Sequence, residues 1–124
     1  MAFKLETLNA SVTYKYPVKF AIVSEHGGSI DQEFTAIFKR LDRAQVVDLR
    51  NRHQGDTGNS IDQVLDADVA YISEFLTGWE DVDLNGATEF NKDNLRLLLK
   101  SLPKINIFIS SAFFDSDGAV ARKN

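Results

Sequence analysis

Cysteine is absent from this 124-residue chain, and with it go disulfides, thiolate nucleophiles and cysteine-held zinc. The absence is compatible with a reducing compartment. Histidine is scarce as well: His26 and His53 are far apart in sequence and share no helical metal-ligand spacing, so a zinc site would have to borrow carboxylates. Positive charge is not in excess. The formal net charge is −4 and Lys and Arg form no cluster, which argues against nucleic acid, whose phosphates are held by concentrated positive charge. No apolar run approaches the roughly 18 residues of a spanning helix, and Met1-Ala2-Phe3-Lys4-Leu5-Glu6 lacks the apolar stretch of a signal peptide, so neither membrane nor export is expected.

What is present suits a folded domain. Hydrophobic residues make up 44% and charged residues 26% of the chain, ordinary values for a globular protein. A chain of this size buries about two-thirds of its unfolded surface and needs no staple. The expectation is a single domain over residues 1–124, with flexible ends at about 1–10 and 116–124. Tyr14 to Val23 is rich in aromatic and β-branched residues, Glu25-His26-Gly27-Gly28-Ser29 supplies turn chemistry, and Phe34 to Leu41 is apolar again, which reads as a β-hairpin. In its second strand Phe34, Ala36 and Phe38 share one face and Thr35, Ile37 and Lys39 the other, the first being the expected core side.

Helix signals follow. Asp42 and Gln45 have capping-box spacing, as do Ser60 and Gln63. The first helix is expected to fray near His53. The second carries Ile61, Val64, Leu65, Val69, Ile72, Phe75 and Leu76 in one helical stripe, with Gly78 as its expected stop. Asn91 can cap a third helix, with Phe90 and Leu95 as a hydrophobic staple and Leu95, Leu98, Leu99 and Leu102 as its buried face. Pro103 would open a fourth, with Ile105, Phe108, Ile109, Ala112 and Phe113 inward. The Ile105/Ile107/Ile109 alternation also suits a strand. The expected architecture is therefore α+β and mainly helical, an N-terminal β-hairpin packed on about four helices.

No set of residues reads as catalytic. Glu25 to Ser29 resembles the His-Gly-Gly oxyanion loops of esterases, but no Gly-x-Ser-x-Gly elbow accompanies it. Gly55-Asp56-Thr57-Gly58 lacks the Gly-Lys-Ser/Thr of a phosphate loop. Asp81-Val82-Asp83-Leu84-Asn85-Gly86 matches the first six positions of a calcium loop, with Glu89 a further oxygen, yet Lys92 stands where the bidentate glutamate belongs. A solvated turn is the stronger reading and a calcium-binding module the weaker. No enzyme activity, cofactor or metal is expected. Asp68, inside an apolar stripe, is expected to pair with Arg50 or Arg52, or else to touch a partner. Trp79 is a corner residue or an interface anchor. Leu97, Ile107 and Phe114 fall off their helices' main stripes and hint at self-association or a partner groove.

The string Leu76-Thr77-Gly78-Trp79-Glu80-Asp81-Val82, its acidic Asn85-Gly86 turn, and Thr88 to Leu99 resemble the tail assembly chaperones of long-tailed bacteriophages. Glu33 to Leu41 is similar to that family's hairpin strand and the start of its first helix. The likeness spans most of Tyr16 to Phe114. Gly78, Trp79, Gly86, Phe90 and Leu95 match the motif and look structural; Asp68, Leu97, Ile107 and Phe114 remain the candidate partner surface. The resemblance implies a non-enzymatic, self-associating factor of the host cytoplasm that binds and solubilises the tape-measure protein, recruits tail-tube subunits and leaves before the virion is complete. It also implies that a longer frameshifted form is often made. A structural tail component, such as a tube-completion protein, is the alternative.

Overall fold

The computed structural model describes residues 3–5, 12–52 and 60–116. Its described elements, in chain order, are β1 (Thr13–Val23), β2 (Ser29–Lys39), α1 (Arg43–Arg52), α2 (Ile61–Ile72), β3 (Leu76–Glu80), α3 (Lys92–Ser101) and α4 (Ile105–Ser116). The fold is α+β, with a three-stranded antiparallel sheet in the order β1-β2-β3. The expected hairpin is there and gains a third strand.

The hairpin turn works as its glycines suggest. Ser24 N–H donates to the Gly28 carbonyl at 2.8 Å, and Gly27 adopts φ +86°, a conformation open to glycine at no steric cost. Pairing then runs without a break from Val23↔Ser29 to Thr13↔Lys39. Strand β2 therefore begins five residues before the expected Phe34, through Ser29 to Glu33, which are exposed and carry no alternating apolar pattern to betray them. The predicted core face is correct: Phe34, Ala36 and Phe38 are buried, and Lys39 is exposed.

The Asp42/Gln45 capping box, the Ser60 cap and the Asn91 cap form. Asp42 N–H donates to Gln45 Oε1 at 2.9 Å while Gln45 N–H donates to Asp42 Oδ1 at 2.8 Å. Ser60 Oγ accepts from Gln63 N–H at 3.2 Å, and Asn91 Oδ1 from Asn94 N–H at 2.8 Å. Each satisfies a donor that the first helical turn would otherwise leave open.

The second helix does not run to Gly78. It stops at Ile72, where Ser73 N–H still reaches the Val69 carbonyl at 2.9 Å, and the chain then turns into β3. The open flank of β2 draws it there: Lys39 N–H donates to the Phe75 carbonyl at 2.8 Å. A β-bulge explains why helical spacing misleads. Ala36 faces Trp79 but Phe38 faces Leu76, so Thr77 is the extra residue, its hydroxyl donating to the Ile37 carbonyl at 3.0 Å. The bulge lets two residues three apart, Leu76 and Trp79, both turn to the core, which a regular strand forbids.

Helix α4 is a helix despite its alternating isoleucines, and starts at Ile105 after a turn through Pro103 and Lys104. It lies antiparallel along β1. Phe108 near its start stacks on Phe20 at 5.6 Å, and Ser116 at its end meets Tyr14. Ser116 is buried, it donates to the Phe113 carbonyl at 2.9 Å, and the Tyr14 hydroxyl is left to donate to its Oγ at 2.8 Å. The expected flexibility of residues 1–2, 6–10 and 117–124 lies outside the described residues. The core centres on Phe38, Phe75 and Phe113, with Phe75 stacked on Phe113 at 4.5 Å and Phe38 edge-on to Phe113 at 5.4 Å. Such aromatic pairs add about 0.5–1.5 kcal/mol each beyond the area they bury.

Candidate functional site

The motif residues form one corner between β3 and α3. Trp79 is 7% exposed, its indole N–H donates to the Thr88 carbonyl at 2.9 Å, and Phe90 meets the indole edge-on at 4.9 Å. This ties the connecting segment onto the sheet. Within that segment Asn85 and Gly86 both have positive φ, +56° and +102°, and Leu84 pairs with Ala87, the geometry of a type I′ hairpin turn. Asp83 closes the turn by accepting from Gly86 N–H at 2.6 Å. The acidic residues thus build a turn, and no group of three or more His, Asp or Glu side chains placed to hold a metal ion is found among the described residues. Gly78 has a role other than stopping a helix: a Cβ there would come within 3.2 Å of Ile37 Cδ1, which lies over it. Leu95 is fully buried behind the corner.

Electrostatics are structural where they are strongest. Arg52 reaches Glu74 with both terminal nitrogens, at 2.9 and 2.7 Å, and Asp48 with Nε at 2.9 Å, joining α1 to the end of α2. The hydrogen-bonded Glu74 carboxylate holds the Arg52 guanidinium above its usual value. Arg96 of α3 clasps Asp62 and Asp66 of α2. Burial pushes the Tyr71 hydroxyl above its ordinary value, and it donates weakly to the Leu49 carbonyl at 3.4 Å. Neither displacement brings a proton into the neutral range, so neither residue gains acid–base reactivity. His26 sits exposed in the hairpin turn beside Glu25; His53 lies outside the described residues.

The four candidate partner residues differ in their surroundings. Leu97 and Ile107 are 43% and 50% exposed, apolar side chains facing outward from α3 and α4. Phe114 is half-buried, packed on Phe113 at 5.4 Å, with the Arg50 guanidinium 5.0 Å over its ring. Asp68 is half-buried and has an interaction of its own; Arg52, one of its two expected partners, is engaged by Glu74 and Asp48.

One feature was not legible from the motifs. Strands β1 and β2 extend well beyond β3, and beneath their far end a groove of about 500 Å³ opens against the α3–α4 corner. Phe20, Ile22, Val23, Leu102, Ile105 and Phe108 line it, and Lys104 is its single charged residue. It forms only because the fold brings the far end of β1 against the α3–α4 corner, about eighty residues away in the chain.

The described residues define a small α+β scaffold that offers its surroundings exposed apolar side chains and an apolar groove. More particularly, the chain belongs to the phage tail assembly chaperones, whose family model matches residues 1–120. No curated protein and no solved structure matches it significantly.

Proposed function

We propose that this chaperone binds the tape-measure protein, keeps it soluble, and brings tail-tube subunits to it without chemical catalysis. The observation that carries the reading is the family match over residues 1–120. The exposed Leu97 and Ile107 support it, because apolar side chains held at the surface suit transient coverage of apolar client segments. Several weak contacts along one long client make the coverage collectively strong while each remains reversible. The factor works as an oligomer in the host cytoplasm and is absent from the finished virion.

The test is co-expression with the tape-measure protein of the same phage, followed by affinity capture and a solubility assay. Co-purification with rescued solubility is the expected result. A client that stays insoluble and unbound would overturn the reading. Mass spectrometry of purified virions tests the last clause, since a structural tail component would be found there and a chaperone would not.

A further inference from the structure

We infer that the groove under the far end of the hairpin takes an extended apolar peptide segment bearing a carboxylate, added as a strand to the open edge of β1 at Ala21 to Val23. Hydrogen bonding fixes which way this edge faces. Arg40 N–H donates to the Val12 carbonyl and Ser24 N–H to the Gly28 carbonyl, both at 2.8 Å, in the same register as Val18↔Phe34. Antiparallel pairing alternates along the strand, so the even-numbered residues of β1 point their backbone groups at β2. The odd-numbered ones, Lys15, Lys19, Ala21 and Val23, point theirs outward, where no described strand pairs with them.

The edge is not uniform. Its first half carries Lys15, Pro17 and Lys19; Pro17 has no N–H to offer, and lysines and proline are how exposed edges resist pairing. Ala21 and Val23 carry no such guard, and it is this half that borders the groove. A strand laid along it would place alternate side chains against Phe20, Ile22, Leu102 and Phe108 while its backbone met the outward N–H and C=O groups.

Charge selects the occupant. Lys15 and Lys19 already face Glu80 and Glu33, at 2.8 and 3.7 Å, whereas Lys104 has no ion-pair partner among the described residues. A carboxylate on the guest would complete it. A second copy of this chain is the poorer fit: the outward set of its own β1 holds two lysines and no acid, and its acidic Ser29 to Glu33 stretch offers Ile30 alone as an apolar side chain to the groove. The other open stretch, Ser29 to Glu33 of β2, carries Asp31 and Glu33, which repel a carboxylate. Within the chaperone reading the segment belongs to a client. The inference rests on that reading only for this attribution, because binding is measured on the full chain alone.

The probe is a short peptide of alternating threonine and valine ending in aspartate, acetylated and amidated so that the side chain is its only carboxylate, titrated into the isotope-labelled full chain by NMR. The expected result is slowing of amide exchange at Ala21 and Val23 by about tenfold or more at saturation, with weaker binding, by about three- to tenfold, of a lysine-ended peptide or of the Lys104→Glu variant. The lysine-ended peptide should in turn prefer Lys104→Glu. Ala21→Pro removes an outward donor and no β1–β2 bond, as Pro17 already does in this strand, and should abolish binding with the circular dichroism unchanged. If that variant does not fold, the Lys104 charge exchange still decides. Absence of binding at millimolar peptide, binding that leaves both amides unprotected, or protection that rises with protein concentration and no peptide would each overturn the inference. Client capture in the co-expression experiment succeeds or fails independently of these outcomes.

Discussion

Trp79→Ala should cost about 3–5 kcal/mol, as expected for a large aromatic truncated at a buried site. The structure says where the loss arises. The indole is 7% exposed, so nearly all of its apolar surface is out of water. Its edge-on contact with Phe90 at 4.9 Å contributes about 0.5–1.5 kcal/mol beyond that burial. The hydrogen bond to the Thr88 carbonyl at 2.9 Å adds about 1 kcal/mol. Trp79→Phe is the informative control. It keeps a ring against Phe90 but loses the N–H, and because Thr88 is exposed its carbonyl can turn to water, so the cost should stay near 1–2 kcal/mol. Urea unfolding followed by circular dichroism measures both, since the variants lack the tryptophan that fluorescence would use. At an m-value of about 2 kcal/mol per molar, the alanine variant should lose roughly 2 M of its midpoint with the slope unchanged. An alanine cost below about 1 kcal/mol, or a phenylalanine variant as damaged as the alanine one, would refute the reasoning. A neutral change joined to lost client binding would make Trp79 an interface anchor instead.

Two further perturbations separate geometry from motif. Gly86→Ala should destabilise by about 1–3 kcal/mol although nothing lies within 4 Å of the added methyl, because φ +102° is strained for any L residue. Gly78→Ala should stay within about 1 kcal/mol of neutral, since the half-buried tip of Ile37 can give way and the unfolded chain loses freedom; urea midpoints rank the two, and the reverse order would contradict the account. The third concerns pH. The Tyr71 hydroxyl is raised in the folded state, so its contribution is complete below the ordinary tyrosine value near 10 and is lost as pH climbs through the folded value. Tyr71→Phe should therefore lose stability less steeply than the parent above about pH 10, and an identical slope in alkaline unfolding curves would count against burial as the cause.

Local chemistry was legible where a residue acts on its own neighbours. The Asp42/Gln45 box, the Ser60 and Asn91 caps, the hairpin glycines and the inward face of Phe34, Ala36 and Phe38 all follow from short-range rules, and all are present. The failures occur where a distant element decides. Phe75 and Leu76 keep the helical spacing of the stripe before them, yet the chain turns at Phe75 and the open flank of β2 takes Leu76 to Glu80 as a strand, with its bulge at Thr77. Asp31 to Glu33 show no strand pattern because neither of their faces is buried, and pairing with β1 alone holds them extended. The acidic turn of the Trp79 corner follows from local chemistry, but Gly78 and Trp79 lie on a strand and not at a helix end, because pairing with β2 decides their conformation. The groove was not legible, because it exists only where the far end of β1 meets the α3–α4 corner, two segments distant in the chain.

The insertion of two helices between β2 and β3 bears on how the molecule assembles. The hairpin closes through a five-residue turn and can form within microseconds. Strand β3 can join only after the whole of α1 and α2 has been looped out, and that closure must be met in entropy before any of its contacts return it. Trp79, the single tryptophan, lies in that late strand. Its fluorescence therefore times the meeting of the two halves of the chain, and is blind to the earlier formation of the hairpin against which it comes to rest.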